Sequence, residues 1–345
     1  MTREISTDVA IVGAGPVGLF AIFECGMLRM RTVLIDVLAA AGGQCTALYP
    51  EKPIYDIPAH PEISASGLIS ALERQIAPFA PLRLFGRRAE ALAGAAGDFR
   101  LSTDRGETIK AKAIIVAAGA GAFGPNRPPL PGLAAFEATG AVQYYVASRE
   151  SLRGRRIVIA GGGDSAVDWA LALAGEAAEL SVVHRREKFR AAPESAARLA
   201  GLVAGGAVGL VVPFQLAGLR GAGGKLEAVE VASLASGEKR DLPADVLLAF
   251  FGLSTDLGAI AGWGLALERH QVVVDPATLE SSRPGVFAIG DVASHRGKLK
   301  LIMQGFSEAA MAAHAIHPIV FPGQALHFEY STTSGIPAAA GASGG

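Results

Sequence analysis

The feature that most constrains this chain is a strand, a glycine turn and a helix written twice. Thr7-Asp8-Val9-Ala10-Ile11-Val12 is a short apolar run that reads as a buried parallel strand. Gly13, Gly15 and Gly18 follow it at the GxGxxG spacing and open an apolar-periodic segment that reads as a helix. The second copy starts at Arg155-Arg156-Ile157-Val158-Ile159-Ala160, passes through Gly161, Gly163 and Ala166 (in the third position), and continues as a helix through Glu176. In such a turn the first glycine permits the tight bend, the second lets the backbone approach a pyrophosphate, and the third lets the helix pack closely. An anion then meets free amide groups at the helix start. Another apolar strand follows each helix: Thr32-Val33-Leu34-Ile35 ends at Asp36 and Leu180-Ser181-Val182-Val183 ends at His184, each 23 positions after its first glycine.

Equal spacing with opposite charge separates the two sites. An acid accepts from a free ribose 2'-hydroxyl, whereas His184-Arg185-Arg186, with Arg190 just downstream, neutralises a 2'-phosphate. The first unit therefore suits the adenosine of FAD and the second suits NADPH rather than NADH. The expected fold is α/β, with two Rossmann-like three-layer dinucleotide-binding domains, the FAD domain discontinuous and the NADPH domain inserted in it. Pro and Gly are dense over residues 119–132, as in an interdomain linker, and the strand at 244–252 mirrors the one at 113–119, where the chain returns. These signals set the expected bounds at 1–122 and 254–336 for the FAD domain and 123–253 for the NADPH domain. Residues 337–345 are only Pro, Ala, Gly and Ser and read as a frayed tail.

The intervening segments are read from turn residues and periodicity. Residues 41–52 have no clean period and read as a long loop, and such a loop just past a nucleotide site is more often functional than idle. Ser64 caps a helix expected to reach Ala77, and Leu82–Phe85 and the run 99–102 read as strands of a small antiparallel meander. A second meander is expected over 229–241 and a helix over 302–314. The strand at 284–289 ends in Gly290-Asp291, which can place a carboxylate on the ribityl or phosphate part of a flavin.

Composition narrows the function classes. Half of the 345 residues are apolar, enough for a sizeable core. Lys and Arg number 31 against 32 Asp and Glu, so no global field points to nucleic acid or an anionic membrane. The two cysteines, Cys25 and Cys45, form no CxxC, which argues against a disulfide scaffold, a structural zinc site and a dithiol redox pair, and fits a reducing cytoplasm. Glu4 and Asp8 stand where a signal peptide would be basic and apolar, and the apolar stretch 246–267 is cut by Asp256 and glycines, so it reads as core rather than a membrane helix.

Two such turns in one chain, together with Gly42-Gly43-Gln44, the His-Arg-Arg cluster and Gly290-Asp291, resemble the low-molecular-weight thioredoxin reductase family over nearly the whole length. Tyr49-Pro50-Glu51-Lys52 with Ile54-Tyr55-Asp56, the run from Gly161 to Ala170, and Tyr330-Ser331-Thr332-Thr333 are similar to the thioredoxin-reductase-type ferredoxin/flavodoxin NADP reductases of bacteria. Thioredoxin reductases of this size carry a CxxC just before the second glycine turn, where this chain has Val142-Gln143-Tyr144-Tyr145-Val146. That departure argues against disulfide chemistry. The resemblance implies FAD contacts at Asp36 (ribose), Gln44, Tyr49 (stacked on one flavin face), Ala89 (by backbone near adenine), Phe123, Asp291 and Thr332. It also implies a homodimer whose C-terminal segment covers the flavin through Tyr330 or Phe328. The implied activity takes hydride from NADPH and passes electrons singly to ferredoxin or flavodoxin, or runs in reverse, and needs no acid or base side chain. Two other readings remain: an NADPH-dependent reductase of a disulfide or quinone, and a non-catalytic flavoprotein that senses redox state.

Overall fold

The apolar runs Val9–Val12 and Ala113–Val116 are buried along their whole length, as strands covered on both faces must be. They lie inside a five-stranded parallel sheet ordered Val286–Ala288, Ala113–Val116, Val9–Val12, Thr32–Asp36, Leu82–Phe85. The computed structural model describes residues 3–119, 121–146, 148–326 and 335–336. The chain forms two compact units, one of Met1–Phe123 with Thr255–Gly345 and the other of Gly124–Ser254.

In the first unit the helix Pro16–Met27 packs between the helices Ala65–Ile76 and Ile302–Val320. A four-stranded sheet, ordered Glu4–Ser6, Thr108–Ala111, Asp98–Thr103, Ala89–Ala95, adds a further layer, with Phe99, Leu101 and Ile109 fully buried in the same core as the parallel strands. Ser64 caps its helix as expected, its hydroxyl accepting from the Gly67 amide at 3.1 Å.

The second unit repeats the plan with a parallel sheet ordered Val142–Gln143, Val246–Phe250, Arg156–Gly161, Glu179–Val183, Gly209–Val211. Its layering follows from the two-residue period of a strand. Val158 and Ala160 pack with Phe214, Val229 and Val231 of the antiparallel sheet Phe214–Ala222, Lys225–Ser233, Lys239–Pro243. Ile157 and Ile159 point the other way, into Ala166, Val167 and Leu199 of the helices Asp164–Leu173 and Pro193–Ala204. The neighbour order matches that of the first unit. The outermost strand is contributed last in the first unit and first in the second.

Three expectations are corrected. Leu82–Phe85 is no meander strand: it pairs in parallel with Thr32–Asp36 at the edge of the main sheet, and only 98–103 joins the antiparallel one. Alternating burial marks a strand but does not name its partner. The loop at 41–52 contains a helical turn, Gln44–Ala47, and leads into a short antiparallel pair, Pro53–Ile54 with Ile63–Ser64. The last helix reaches Val320, not His314, and carries Pro318 within its final turn.

The first glycine turn is set by close contacts. Gly13 has φ +113°, and a Cβ there would lie 2.3 Å from the Ala117 carbonyl oxygen; a Cβ on Gly18 would lie 1.9 Å from the Gly13 carbonyl oxygen. Gly15 differs: its φ is −68°, ordinary for any residue, and a Cβ would meet nothing within 4 Å. We therefore expect Gly18→Ala to destabilise the fold by about 1–3 kcal/mol, the usual cost of overpacking, and Gly15→Ala to leave the urea midpoint of the ligand-free protein nearly unchanged. Equal midpoints for the two variants would contradict the packing argument.

Candidate functional site

The C-terminal ends of the first unit's parallel strands open onto one cleft, where ligands bind in open α/β sheets. It encloses about 1320 Å³ of empty space, counting solvent at its mouth, and is lined by Gly13, Gly15, Asp36, Gln44, Tyr49, Ala89 and Asp291 among others. The helix Pro16–Met27 points its N-terminus at this space. It starts at Gly15 with Pro16 in its first turn, no side-chain cap and no acid in that turn, so the turn itself supplies no counter-charge to the positive end of the helix dipole.

Asp36 sits at the end of its strand, 8% exposed. Its Oδ2 accepts from the Ala14 amide at 2.6 Å and its Oδ1 from the Leu38 amide at 2.7 Å, which orients the carboxylate at the lip of the glycine turn. Burial raises its pKa above the usual carboxylate value, and the two amide bonds pull against that. Burial also pushes the Tyr49 phenol upward and the Cys45 thiol up to about 11, each with help from the charge of Asp291. Asp291 follows Gly290, whose φ is +73° and whose amide donates to Glu308 Oε2 at 2.7 Å; the Asp291 carbonyl accepts from Gln271 Nε2 at 2.6 Å.

Of the expected FAD residues, Gly18 lies outside the cleft lining, its place being the packing contact above. Phe123 belongs to the strand Ala122–Pro125, and its side chain, with Phe328, Tyr330 and Thr332, lies outside the described residues. Residues not foreseen also line the cleft: Arg87 and Arg88 beside Ala89, the run 257–260, and Leu301 and Ile302 at the start of the last helix. Arg87 is held by Glu107 at 3.1 Å and by the Phe85 carbonyl at 2.6 Å. Of these, only Arg87 and Arg88 adjoin a residue that the resemblance implied, Ala89; the other two segments carry no motif.

The second unit brings its own set together. Gly161 packs tightly, since a Cβ there would lie 2.7 Å from the Phe250 carbonyl oxygen, and Ala166 is fully buried at the helix start. Gly163, like Gly15, has an ordinary extended backbone (φ −97°) and nothing within 4 Å of where a Cβ would be. The loop after His184 folds back on this turn: the Arg190 amide donates to the Gly162 carbonyl at 2.6 Å, and the Ala192 amide to Asp164 Oδ1 at 2.9 Å. Arg185, Arg186 and Arg190 are exposed beside it. His184 behaves differently from the arginines grouped with it. Its ring lies over Gly162, where a Cβ would meet it at 2.2 Å, and packs tilted against Phe189 with ring centroids 5.3 Å apart. Its Nε2 is buried without a partner. Burial, then the charges of Arg185 and Arg186, hold its pKa below 6.5, so at neutral pH the positive charge of the cluster is carried by the arginines.

The pattern of the family described as pyridine nucleotide-disulphide oxidoreductase matches residues 7–315 of this sequence. The chain belongs to that family. Within this pyridine nucleotide-disulphide oxidoreductase family it is 68% identical over 340 residues to a ferredoxin–NADP reductase of Acidiphilium cryptum, covering 99% of this chain and 100% of that one. It is 70% identical over 335 residues to a ferredoxin–NADP reductase of Granulibacter bethesdensis, covering 97% and 95%. In fold it is similar to the crystal structure of Lactococcus lactis thioredoxin reductase, with a TM-score of 0.76 at 22% identity over 91% of this chain and 99% of that one.

The residues present fit the groups such a family uses. Gly15 and Gly163 are the decisive observation, because neither backbone angle nor packing requires glycine at either place. Each leaves a bare backbone cradle at a helix start, which an ordinary side chain would fill and a pyrophosphate can use. Among the described residues no cluster of His, Cys, Asp and Glu could hold a metal ion, and no helix is long and apolar enough to cross a membrane.

The burial of His184 has a measurable consequence. Its folded pKa is lowered, so below about pH 6.5 the unfolded chain binds a proton that the folded chain does not. Its contribution to stability is full above that pH and is lost as pH falls toward the folded value. Replacing His184 by Gln should flatten this part of the decline, measured as the urea midpoint from pH 7.5 to 5. An unchanged slope would mean that the ring titrates as if exposed.

Proposed function

We propose that this protein is an FAD-dependent oxidoreductase that moves electrons between NADPH and a small one-electron carrier, ferredoxin or flavodoxin. The observation that carries the reading is the pair of bare glycine cradles with opposite chemistry at equal spacing, Asp36 beside one and Arg185-Arg186 beside the other. The relatives named ferredoxin–NADP reductase, similar over almost their whole length, support the choice of acceptor.

FAD, when bound in the first unit, supplies a centre that takes hydride from NADPH and gives up electrons one at a time. The chain's own work is to bind and orient. Asp36, with two oxygens already aimed by the Ala14 and Leu38 amides, has lone pairs left to accept from ribose hydroxyls. The uncapped helix start beside Gly15 receives the pyrophosphate. Tyr49, half-buried in the lining, offers a ring face to the flavin, and Gln44, Ala89 and Asp291 line the same cleft. In the second unit Arg185, Arg186 and Arg190 take the 2'-phosphate of NADPH, while His184 supplies shape rather than charge.

A dithiol outlet has no support. The segment where a thioredoxin reductase would carry its cysteines starts as the edge strand Val142–Gln143, and the Tyr144 hydroxyl donates to Glu137 at 2.6 Å. Cys25 and Cys45 are both buried and unpaired with each other, which also fits a cytoplasmic protein. A homodimer with the C-terminal segment over the flavin, through Tyr330 or Phe328, belongs to the same reading.

The direct test is purified protein assayed with NADPH and NADH against ferredoxin, flavodoxin and an aromatic disulfide. NADPH-specific reduction of a carrier protein is expected, and rapid disulfide reduction without it would overturn the assignment. Replacing Arg185 and Arg186 by Ala should lower kcat/KM for NADPH by about 1–3 kcal/mol and leave NADH nearly unchanged. With its thiol pKa at about 11, Cys45 is thiolate in about one molecule in a thousand at pH 8, and Cys25 is lower still. Iodoacetamide at that pH should neither label the holoprotein nor slow carrier reduction, as read by mass spectrometry alongside the assay.

A further inference from the structure

The segment leading into the last helix forms a ledge at the mouth of the first unit's cleft. Leu301 and Ile302 line the cleft itself. Just outside them Leu299 is 59% exposed and Met303 46%, large apolar side chains turned to solvent. Arg296 and Lys300 flank them, both exposed and both without an ion pair among the described residues. From 295 to 303 the sequence holds no Asp or Glu.

The ledge is held from beneath. Lys298 turns inward, 8% exposed, and its Nζ donates to both oxygens of the buried Glu308 at 2.5 and 2.7 Å. His295 Nε2 lies 3.2 Å from the same carboxylate, which also accepts from the Gly290 amide. The Leu299 amide donates to Gln304 Oε1 at 2.7 Å. The carboxylate that anchors the ledge, Glu308, is thus buried and met by Lys298, and no acid within residues 295–303 offsets Arg296 and Lys300. A surface fixed in this way loses little conformational freedom when a partner binds it.

We propose that this ledge is the docking surface for the electron carrier, and that the carrier is a small acidic protein. Its carboxylates meet Arg296 and Lys300, while the apolar surface around its redox centre seats on Leu299 and Met303. An apolar centre with a charged rim is how transient protein interfaces are built, and opposite charge speeds encounter in a salt-dependent way. Continuity with the cleft through Leu301 and Ile302 brings the carrier to the place where electrons must leave. The proposal rests on the reading of that cleft as the flavin site.

The experiment compares holoenzyme with the double variant Arg296→Glu/Lys300→Glu, using NADPH with ferredoxin as the probe at low and high salt, and with a neutral quinone as a small acceptor. The wild-type KM for ferredoxin should rise with salt. In the variant it should be raised about tenfold at low salt and lose its salt dependence, while quinone reduction stays unchanged. Leu299→Ser should raise KM without altering the salt slope. A wild type that reduces ferredoxin, with a double variant of the same KM and salt slope, overturns the docking site alone. A variant whose sedimentation changes shows that a second copy of the chain sits on the ledge, which also overturns it. A wild type that reduces the quinone but neither ferredoxin nor flavodoxin overturns the functional reading, and the docking surface with it.

Discussion

The helix Pro16–Met27 lies so close on the end of the strand Val9–Val12 that the Gly13 carbonyl occupies the space a side chain on residue 18 would need. That contact is the constraint on which the first unit depends. It aims an uncapped helix start into the cleft, brings the Ala14 amide within reach of Asp36, and leaves Gly15 bare between them. The first turn of the helix carries no acid and no side-chain cap. The positive end of the helix dipole there suits a negatively charged ligand.

The second unit meets the same constraint with different charges. Its helix has an acid in the first turn, Asp164, but one carboxylate oxygen is engaged by the Ala192 amide, and the Arg190 amide ties the loop to Gly162. Two backbone bonds therefore hold the arginine-bearing loop against the glycine turn. The His184 ring fills the space over Gly162, and its burial keeps it neutral, so three arginines supply the charge that the spacing argument assigned to four residues.

Away from the two turns, the buried carboxylate of Glu308 joins three parts of the chain. It accepts from the Gly290 amide, binds Lys298 and approaches His295, so one side chain on the last helix holds both the Gly290-Asp291 turn and the ledge outside the cleft. Burying an ion pair carries a large desolvation cost, and it is tolerable here because the carboxylate is almost completely partnered. Losing Lys298 or Glu308 alone would leave a buried charge unmet, which is why the two belong to one structural device rather than two.

The sequence by itself determined the local elements and their chemistry. The glycine spacings, the acid and the arginines at matched strand ends, the Ser64 cap and the missing CxxC all follow rules that act within a few residues, where backbone geometry and side-chain reach leave few choices. The tertiary structure decided what depends on partners far along the chain. Leu82–Phe85 went to the parallel sheet because its partner is Thr32–Asp36, which no alternation pattern names. Arg87, residues 257–260 and Ile302 reached the cleft, and Glu308 reached Gly290, only because strand order and helix packing brought them there. His184 lost its charge for the same reason: a pKa is set by what surrounds the ring, and those surroundings exist only once the loop has folded back over Gly162.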